Sequence, residues 1–300
     1  MSRRARRLLR PLVRRALPGA PAGGPTAATG RELLVAGADG RPIPVTDEWQ
    51  GPAILLLHAG SADRSSWAGV AAQLSGRFRV LRFDRWTYRD GHAAASPAGA
   101  DTMAAEVADV LAVAAATGER PLLVGHSSGA VVALESALAA PAAFRAMVLY
   151  EPPVAPAEPL GGEALRRARV ALDAGDPDRA ITIHLREIAG YGRLLVAAIR
   201  RVPPAWQVVR GHAAAQIADD EAIESLGVGL DRYAPLDLPV LLLGGDRSPA
   251  HMRERLDALA AVLPGLDSVV VLDGQGHLAN LRAPGEVARV IEGFADRLTS

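Results

Sequence analysis

Three hundred residues, 49% of them apolar and 22% charged, are enough for one large globular domain or two ordinary ones with a sizeable core. Thirty-three basic residues balance thirty-three acidic ones, which excludes a molecule-wide field for nucleic acid, an anionic membrane or a highly charged substrate and favours a small, neutral or weakly charged ligand. Cysteine is absent and every basic residue is arginine, so disulfides, thiolate nucleophiles, cysteine metal sites and lysine Schiff bases are closed; serine, histidine and carboxylates remain for chemistry.

The chain begins "MSRRARRLLRPLVRR", with seven arginines in fifteen residues. An export signal needs an uncharged apolar stretch of roughly 7–15 residues after its arginines, and Arg14 and Arg15 interrupt this one. Residues 1–30, this arm and the Pro/Gly/Ala stretch "PGAPAGGPTAATG", are expected to be a disordered basic arm and linker. No later segment reaches the ~18 uninterrupted apolar residues of a membrane span, so membrane association is not expected and a cytoplasmic location is. The folded part should begin near Arg31, where "ELLVAGADGRPIPV" sets two strand-like runs about an Asp-Gly turn signal, the pattern of a hairpin.

Short apolar runs then alternate with Ala-rich helical stretches: "AILLLH", a helix near 65–75, "FRVLRFD", a helix near 101–116, "PLLVGHS", the helix "GAVVALESALA" and "AMVLYEP". Runs without polar alternation suit strands buried on both faces, and intervening helices supply crossovers, so an α/β domain with a mostly parallel sheet is predicted. Between Pro152 and Asp237 the alternation gives way to charged helical segments, and it resumes with "PVLLLGG", a helix near 250–262, "SVVVLDG" and a last helix near 284–298. The domain is therefore read as a core of residues 31–151 and 239–300 with a helical insertion over 152–238.

"GHSSG" (125–129) satisfies G-x-S-x-G between a strand pattern and a helix pattern, where a serine sits on a sharp turn with its hydroxyl exposed. Ser127 takes the apex, and Ser128 starts the helix, where its N–H can face a developing oxyanion. The plainer alternative is a serine that caps the helix. A serine hydroxyl needs a base, and His277 is the candidate, in a loop just after the strand "SVVVLDG". His58 and His126 fit turn-shaping better, and His92, His184, His212 and His251 read as solvent or lid residues. No histidine spacing suggests a metal site, and no cofactor is expected.

With "LLLHAGSADRSSW" (55–67) added, the chain from about residue 31 onward resembles the α/β-hydrolase superfamily, in its serine-hydrolase branch with a helical cap. The resemblance implies that Gly60 and Ser128 donate the oxyanion-hole N–H groups, with Ala59 in the place of a glycine, and that 152–238 roofs the site. It also makes "RFDRWTYRDG" similar to the family's post-strand Asp-Arg loop, with Trp86 to Arg89 replacing the usual glycines. For the acid it leaves two candidates: Glu151, just after "AMVLY", and Asp246 in "PVLLLGGDRSPAHM". The function implied is hydrolysis of an ester, thioester or related acyl bond of a small apolar substrate. Alternatives are a lyase, cyclase or acyltransferase on the same fold, or a ligand-binding protein with a decayed triad. The serine argues against the epoxide hydrolase and haloalkane dehalogenase branches, which use an aspartate there. Trp206, Tyr191, Ile188 and Leu195 are candidate pocket residues of the lid, and oligomeric state cannot be read.

Overall fold

The computed structural model describes residues 30–37, 39–89 and 100–298; the expected arm and linker up to residue 29, and His92, lie outside the described residues. The strands are β1 (Arg31–Ala36), β2 (Pro42–Glu48), β3 (Ala53–Leu57), β4 (Arg79–Phe83), β5 (Leu122–His126), β6 (Ala146–Tyr150), β7 (Val240–Gly245) and β8 (Leu266–Leu272). They form one sheet in the order β1-β2-β4-β3-β5-β6-β7-β8. β1 and β2 make the predicted antiparallel hairpin, β2 runs antiparallel to β4, and the remaining pairs are parallel.

The period-two geometry of a strand explains why unbroken apolar runs were needed. Leu55 and Leu57 of β3, Leu123 of β5 and Met147 and Leu149 of β6 face one core. Ile54, Leu56, Leu122, Val124, Val148 and Tyr150, between them, face the other. Helices cover both sides. α1 (Ala68–Leu74) and α11 (Pro284–Arg297) bury Val70, Leu74, Ile291 and Phe294 against the second face. α2 (Ala100–Ala116), α3 (Ser128–Ala139) and α9 (Ala250–Ala260) bury Val110, Val131, Leu134, Leu256 and Leu259 against the first. A short α10 (Ala279–Arg282) precedes α11.

Five helices lie between β6 and β7: α4 (Gly162–Asp173), α5 (Pro177–Ile183), α6 (Arg193–Arg200), α7 (Pro203–Gly211) and α8 (Ala213–Glu224). The stretch after Pro177, which the sequence presents as continuous, is broken: α5 passes into a π turn over His184–Ile188, and Gly190 adopts φ 74°. Ile181, Leu185, Val196, Ile199, Trp206 and Ala213 give this layer its own small core. Leu165, Ala168, Ala180, Ile217 and Ile223 join it to the sheet's first core. No described helix is long and apolar enough to cross a membrane.

Strand register decides which loops become neighbours. Leu57 pairs with Gly125 and Gly125 with Leu149, while His126 pairs with Tyr150 and Tyr150 with Leu243. The loops that leave β3, β5, β6 and β7 therefore emerge side by side at the carboxyl edge of the sheet, where ligands of open α/β folds bind.

Candidate active site

At the end of β5 the backbone turns sharply into α3, and Ser127 holds φ 53° and ψ −126°. Such a conformation costs a non-glycine residue about 1–3 kcal/mol. Serine at a helix N-cap ordinarily recovers energy by bonding a first-turn N–H, yet Ser127 makes no side-chain cap bond to α3. Its N–H instead donates to Tyr150 O at 2.8 Å, and the residue is partly exposed amid buried neighbours. The flanking glycines are required by close approach. A Cβ on Gly125 would lie 2.5 Å from Ala130 Cα, and one on Gly129 would lie 2.4 Å from His58 O. The second contact brings the first turn of α3, with the N–H of Ser128 at its start, against the loop that leaves β3.

That loop is built around His58. Its Nδ1 donates to Ala59 O at 2.8 Å, and its Nε2 accepts the Arg85 N–H at 3.0 Å. Full burial, reinforced by the Arg85 charge, pushes its pKa down to about 3, so His58 is a neutral strut. Ala59 stays outside the left-handed region, whereas Ser61 is in it at φ 51°. Among the described residues four non-glycine positions have positive φ, and three of them, Ser61, Ser127 and Glu151 (φ 45°), stand at this edge of the sheet.

His277 leaves the loop after β8. Its Nδ1 lies 2.6 Å from Glu151 Oε2, and Glu151 Oε1 accepts the Gly245 N–H at 2.8 Å. The Glu151 side chain is 1% exposed. Tyr150 grips the histidine loop on both sides: its hydroxyl donates to Gly276 O at 2.5 Å and accepts the Ala279 N–H at 3.0 Å. His126 stacks on Tyr150 with ring centroids 4.5 Å apart and meets the His277 ring at 4.6 Å. Burial, then the nearby His277, drives the His126 pKa well down, so this ring too is neutral.

The structure brings Ser127, Ser128, Gly60, Glu151 and His277 to one edge and leaves Asp246 out. Asp246 is exposed. After Gly245 turns its N–H to Glu151, the loop is tied down through backbone bonds, Asp246 N–H to Leu272 O at 3.2 Å and Arg247 N–H to Gln275 O at 2.8 Å. The alternative pairing of Asp246 with His277 is thus corrected: the imidazole N–H is already engaged by Glu151.

A buried ionic network, which the sequence reading missed, joins the site to the helical layer. Arg85 is fully buried; its Nη2 donates to Asp219 Oδ2 at 2.6 Å and to Ser128 Oγ at 3.1 Å, and its guanidinium lies 3.8 Å from Glu106. Burial alone would lower its pKa, but Asp219 and Glu106 outweigh that and raise it. Glu106 also accepts the N–H groups of Trp86 and Thr87, both at 3.1 Å, which shapes the short 3₁₀ turn after Arg85. The Tyr88 hydroxyl donates to Asp219 Oδ2 at 2.9 Å, and burial followed by the Asp219 charge raises its pKa well above the ordinary value. A signal was present: "IADDEAI" sets adjacent acids on a helix that is apolar on both flanks, and such acids must find partners inside.

The remaining expectations divide. His184 sits in the helical layer with Nδ1 2.6 Å from Asp220 Oδ2, and His212 meets the Tyr88 ring edge-on at 5.9 Å. Trp206 belongs to the core of the helical layer, Ile188 packs into the sheet's first core, Tyr191 packs against the layer's core, and Leu195 faces outward. Among the described residues no three His, Asp or Glu side chains gather as a metal-ligand group.

The model of the Alpha/beta hydrolase family matches residues 54–290, and the chain belongs to that family. Among solved structures it is similar to an alpha/beta hydrolase from Sphaerobacter thermophilus, 27% identical with a TM-score of 0.72 over 87% of this chain and 99% of that one. The enol-lactonase from Burkholderia xenovorans has the same fold, at 20% identity and a TM-score of 0.69 over 88% of this chain and 100% of its own. A 100-residue stretch, 33% of this chain and 37% of the relative, is 38% identical to a pimeloyl-[acyl-carrier protein] methyl ester esterase of Methylococcus capsulatus.

Proposed function

We propose that the protein is a serine hydrolase that cleaves an ester, thioester or related acyl bond of a small, uncharged substrate. Ser127 Oγ attacks the carbonyl carbon, and His277 Nε2 takes its proton and returns it to the leaving group. Glu151 holds the imidazole in the Nδ1–H tautomer and stabilises the imidazolium that forms. The N–H groups of Gly60 and Ser128 receive the oxyanion, and water then releases the acyl group by the same steps in reverse. Residues 31–151 and 239–300 act as the catalytic core, 152–238 as the cap; no cofactor is needed, and the working location is the cytoplasm.

The observation that carries this reading is the 2.6 Å contact between His277 Nδ1 and Glu151 Oε2, Glu151 standing directly after Tyr150, the register partner of the residue before the strained Ser127. An uncharged substrate agrees with a chain whose thirty-three basic and thirty-three acidic residues balance. The esterase and lactonase relatives support acyl-bond chemistry as the class to test first.

A fluorophosphonate probe tests it: labelling of the wild type that disappears in Ser127→Ala is the expected result. Failure of the folded wild type to label would sink the proposal. A series of p-nitrophenyl esters of rising chain length then separates hydrolysis from other chemistry on the fold, since an enzyme that labels but turns over none of them is not an esterase.

A further inference from the structure

At Gly60 the helical layer fills the space that a side chain would take. A Cβ there would lie 2.4 Å from Gln216 Oε1, 2.8 Å from Nε2 and 3.0 Å from Cδ. Gly60 does not have positive φ, so backbone freedom is not what the position requires. What it requires is vacant volume beside the N–H that the proposed mechanism uses.

Gln216 is 4% exposed and its amide is held at both ends. Ser61 Oγ donates to Oε1 at 2.8 Å, and Nε2 donates to Asp220 Oδ1 at 3.0 Å. The other Asp220 oxygen is on His184 Nδ1 at 2.6 Å. An amide so fixed cannot swing aside for a methyl group without leaving buried polar atoms unpaired. Ser61 is itself in a strained conformation, φ 51°, so the loop needs an outside constraint to stay there. α8, which carries Gln216, is pinned to the serine turn by Asp219, whose Oδ2 takes the Arg85 Nη2 that also reaches Ser128 Oγ.

We propose that Gln216 is a positioning residue for the oxyanion hole: it latches α8 to the 58–61 loop, and the missing side chain at Gly60 is the socket for its amide. The two proposed donors, Gly60 and Ser128, are then registered by one helix of the roof, Gly60 through Gln216 and Ser128 through Asp219 and Arg85. This rests on the serine-hydrolase reading and adds to it a means by which the roof acts on rate rather than on binding.

Full-length Gln216→Ala, Gly60→Ala and the double variant test the latch, with kcat and KM on p-nitrophenyl butyrate, fluorophosphonate labelling rates and melting temperatures measured together. Gln216→Ala is expected to lower kcat about 10–100-fold with KM within about threefold, as misplacement of an oxyanion donor does. Gly60→Ala should lose more, and the double variant should regain about tenfold over Gly60→Ala, because the new methyl fits the emptied socket. Unchanged kcat in Gln216→Ala, or a double variant no better than Gly60→Ala, overturns the latch while the wild type still labels. Wild type that neither labels nor turns over overturns the hydrolase reading itself, and the latch falls with it.

Discussion

Two carboxylates lie one residue past neighbouring strands, yet only Glu151 is turned inward, and its φ of 45° is what turns it. Glu151→Gln should cut kcat about 10⁴-fold, the loss expected when the imidazole is held in the wrong tautomer. Asp246→Asn, on the exposed loop, should stay within about twofold of wild type, since surface changes away from a site do little. Steady-state kinetics decide between them: equal losses in both variants would contradict the geometry. Tyr150→Phe removes the hydroxyl that brackets His277 and should lower kcat about tenfold with little change in KM, on the scale of one to two lost hydrogen bonds. His58 adds a stability prediction with a definite sign. Its folded pKa of about 3 lies below the unfolded value of 6.5, so the unfolded chain takes up a proton that the folded one refuses. This contribution is complete above pH 6.5 and is lost as pH falls toward 3. Urea titrations between pH 6 and 4 should show His58→Gln with a stability slope flatter than wild type by about 1.4 kcal/mol per pH unit. Parallel slopes would mean that His58 is charged in the fold.

At the level of elements, α8 is the piece on which the helical layer depends. It is buried along nearly its whole length, carrying Gln216, Asp219 and Asp220 among alanines and isoleucines. Removing one partner of a buried ion pair leaves the other charge stranded, so Asp219→Ala should destabilise the fold by about 3–5 kcal/mol in urea melts. Arg85→Met combined with Asp219→Leu should recover only part of that loss, because the apolar pair removes two charges but leaves buried Glu106 without the guanidinium 3.8 Å from it. A double variant as unstable as Asp219→Ala would show that the pair's worth lies elsewhere. These elements also mark how far sequence carried the reading. The β3, β5, β6 and β7 runs, the turn at Ser127 and the last helix were readable because each is announced by local pattern: unbroken apolar residues, flanking glycines, a 3.6-residue period. The π turn after α5, the choice between Glu151 and Asp246 as partner of His277, and the Arg85 network were not, because each depends on which distant side chain arrives at the same point. Glu151 and His277 are 126 residues apart, and Arg85 and Asp219 are 134 apart, separations over which no local signal selects a partner.

For the molecule as a whole, the sheet makes the proposed nucleophile, Ser127, and the proposed acid, Glu151, a single rigid unit. β5 and β6 are paired in register up to His126 and Tyr150, and the Ser127 N–H extends that ladder to Tyr150 O at 2.8 Å. Interstrand spacing, about 4.8 Å, sets their separation whatever the loops around them do. Ser127 and Glu151 directly follow their strands, whereas His277 stands in a loop, five residues past the end of β8, with the Tyr150 hydroxyl bonded on either side of it. Working order therefore hangs on a detachable part. Warming should free that loop before the strands part, so catalysis should fade a few degrees below the melting temperature seen by circular dichroism and return on cooling. In practical terms the molecule has a fuse: release of residues 274–279 from the Tyr150 hydroxyl would silence it while the sheet stays folded.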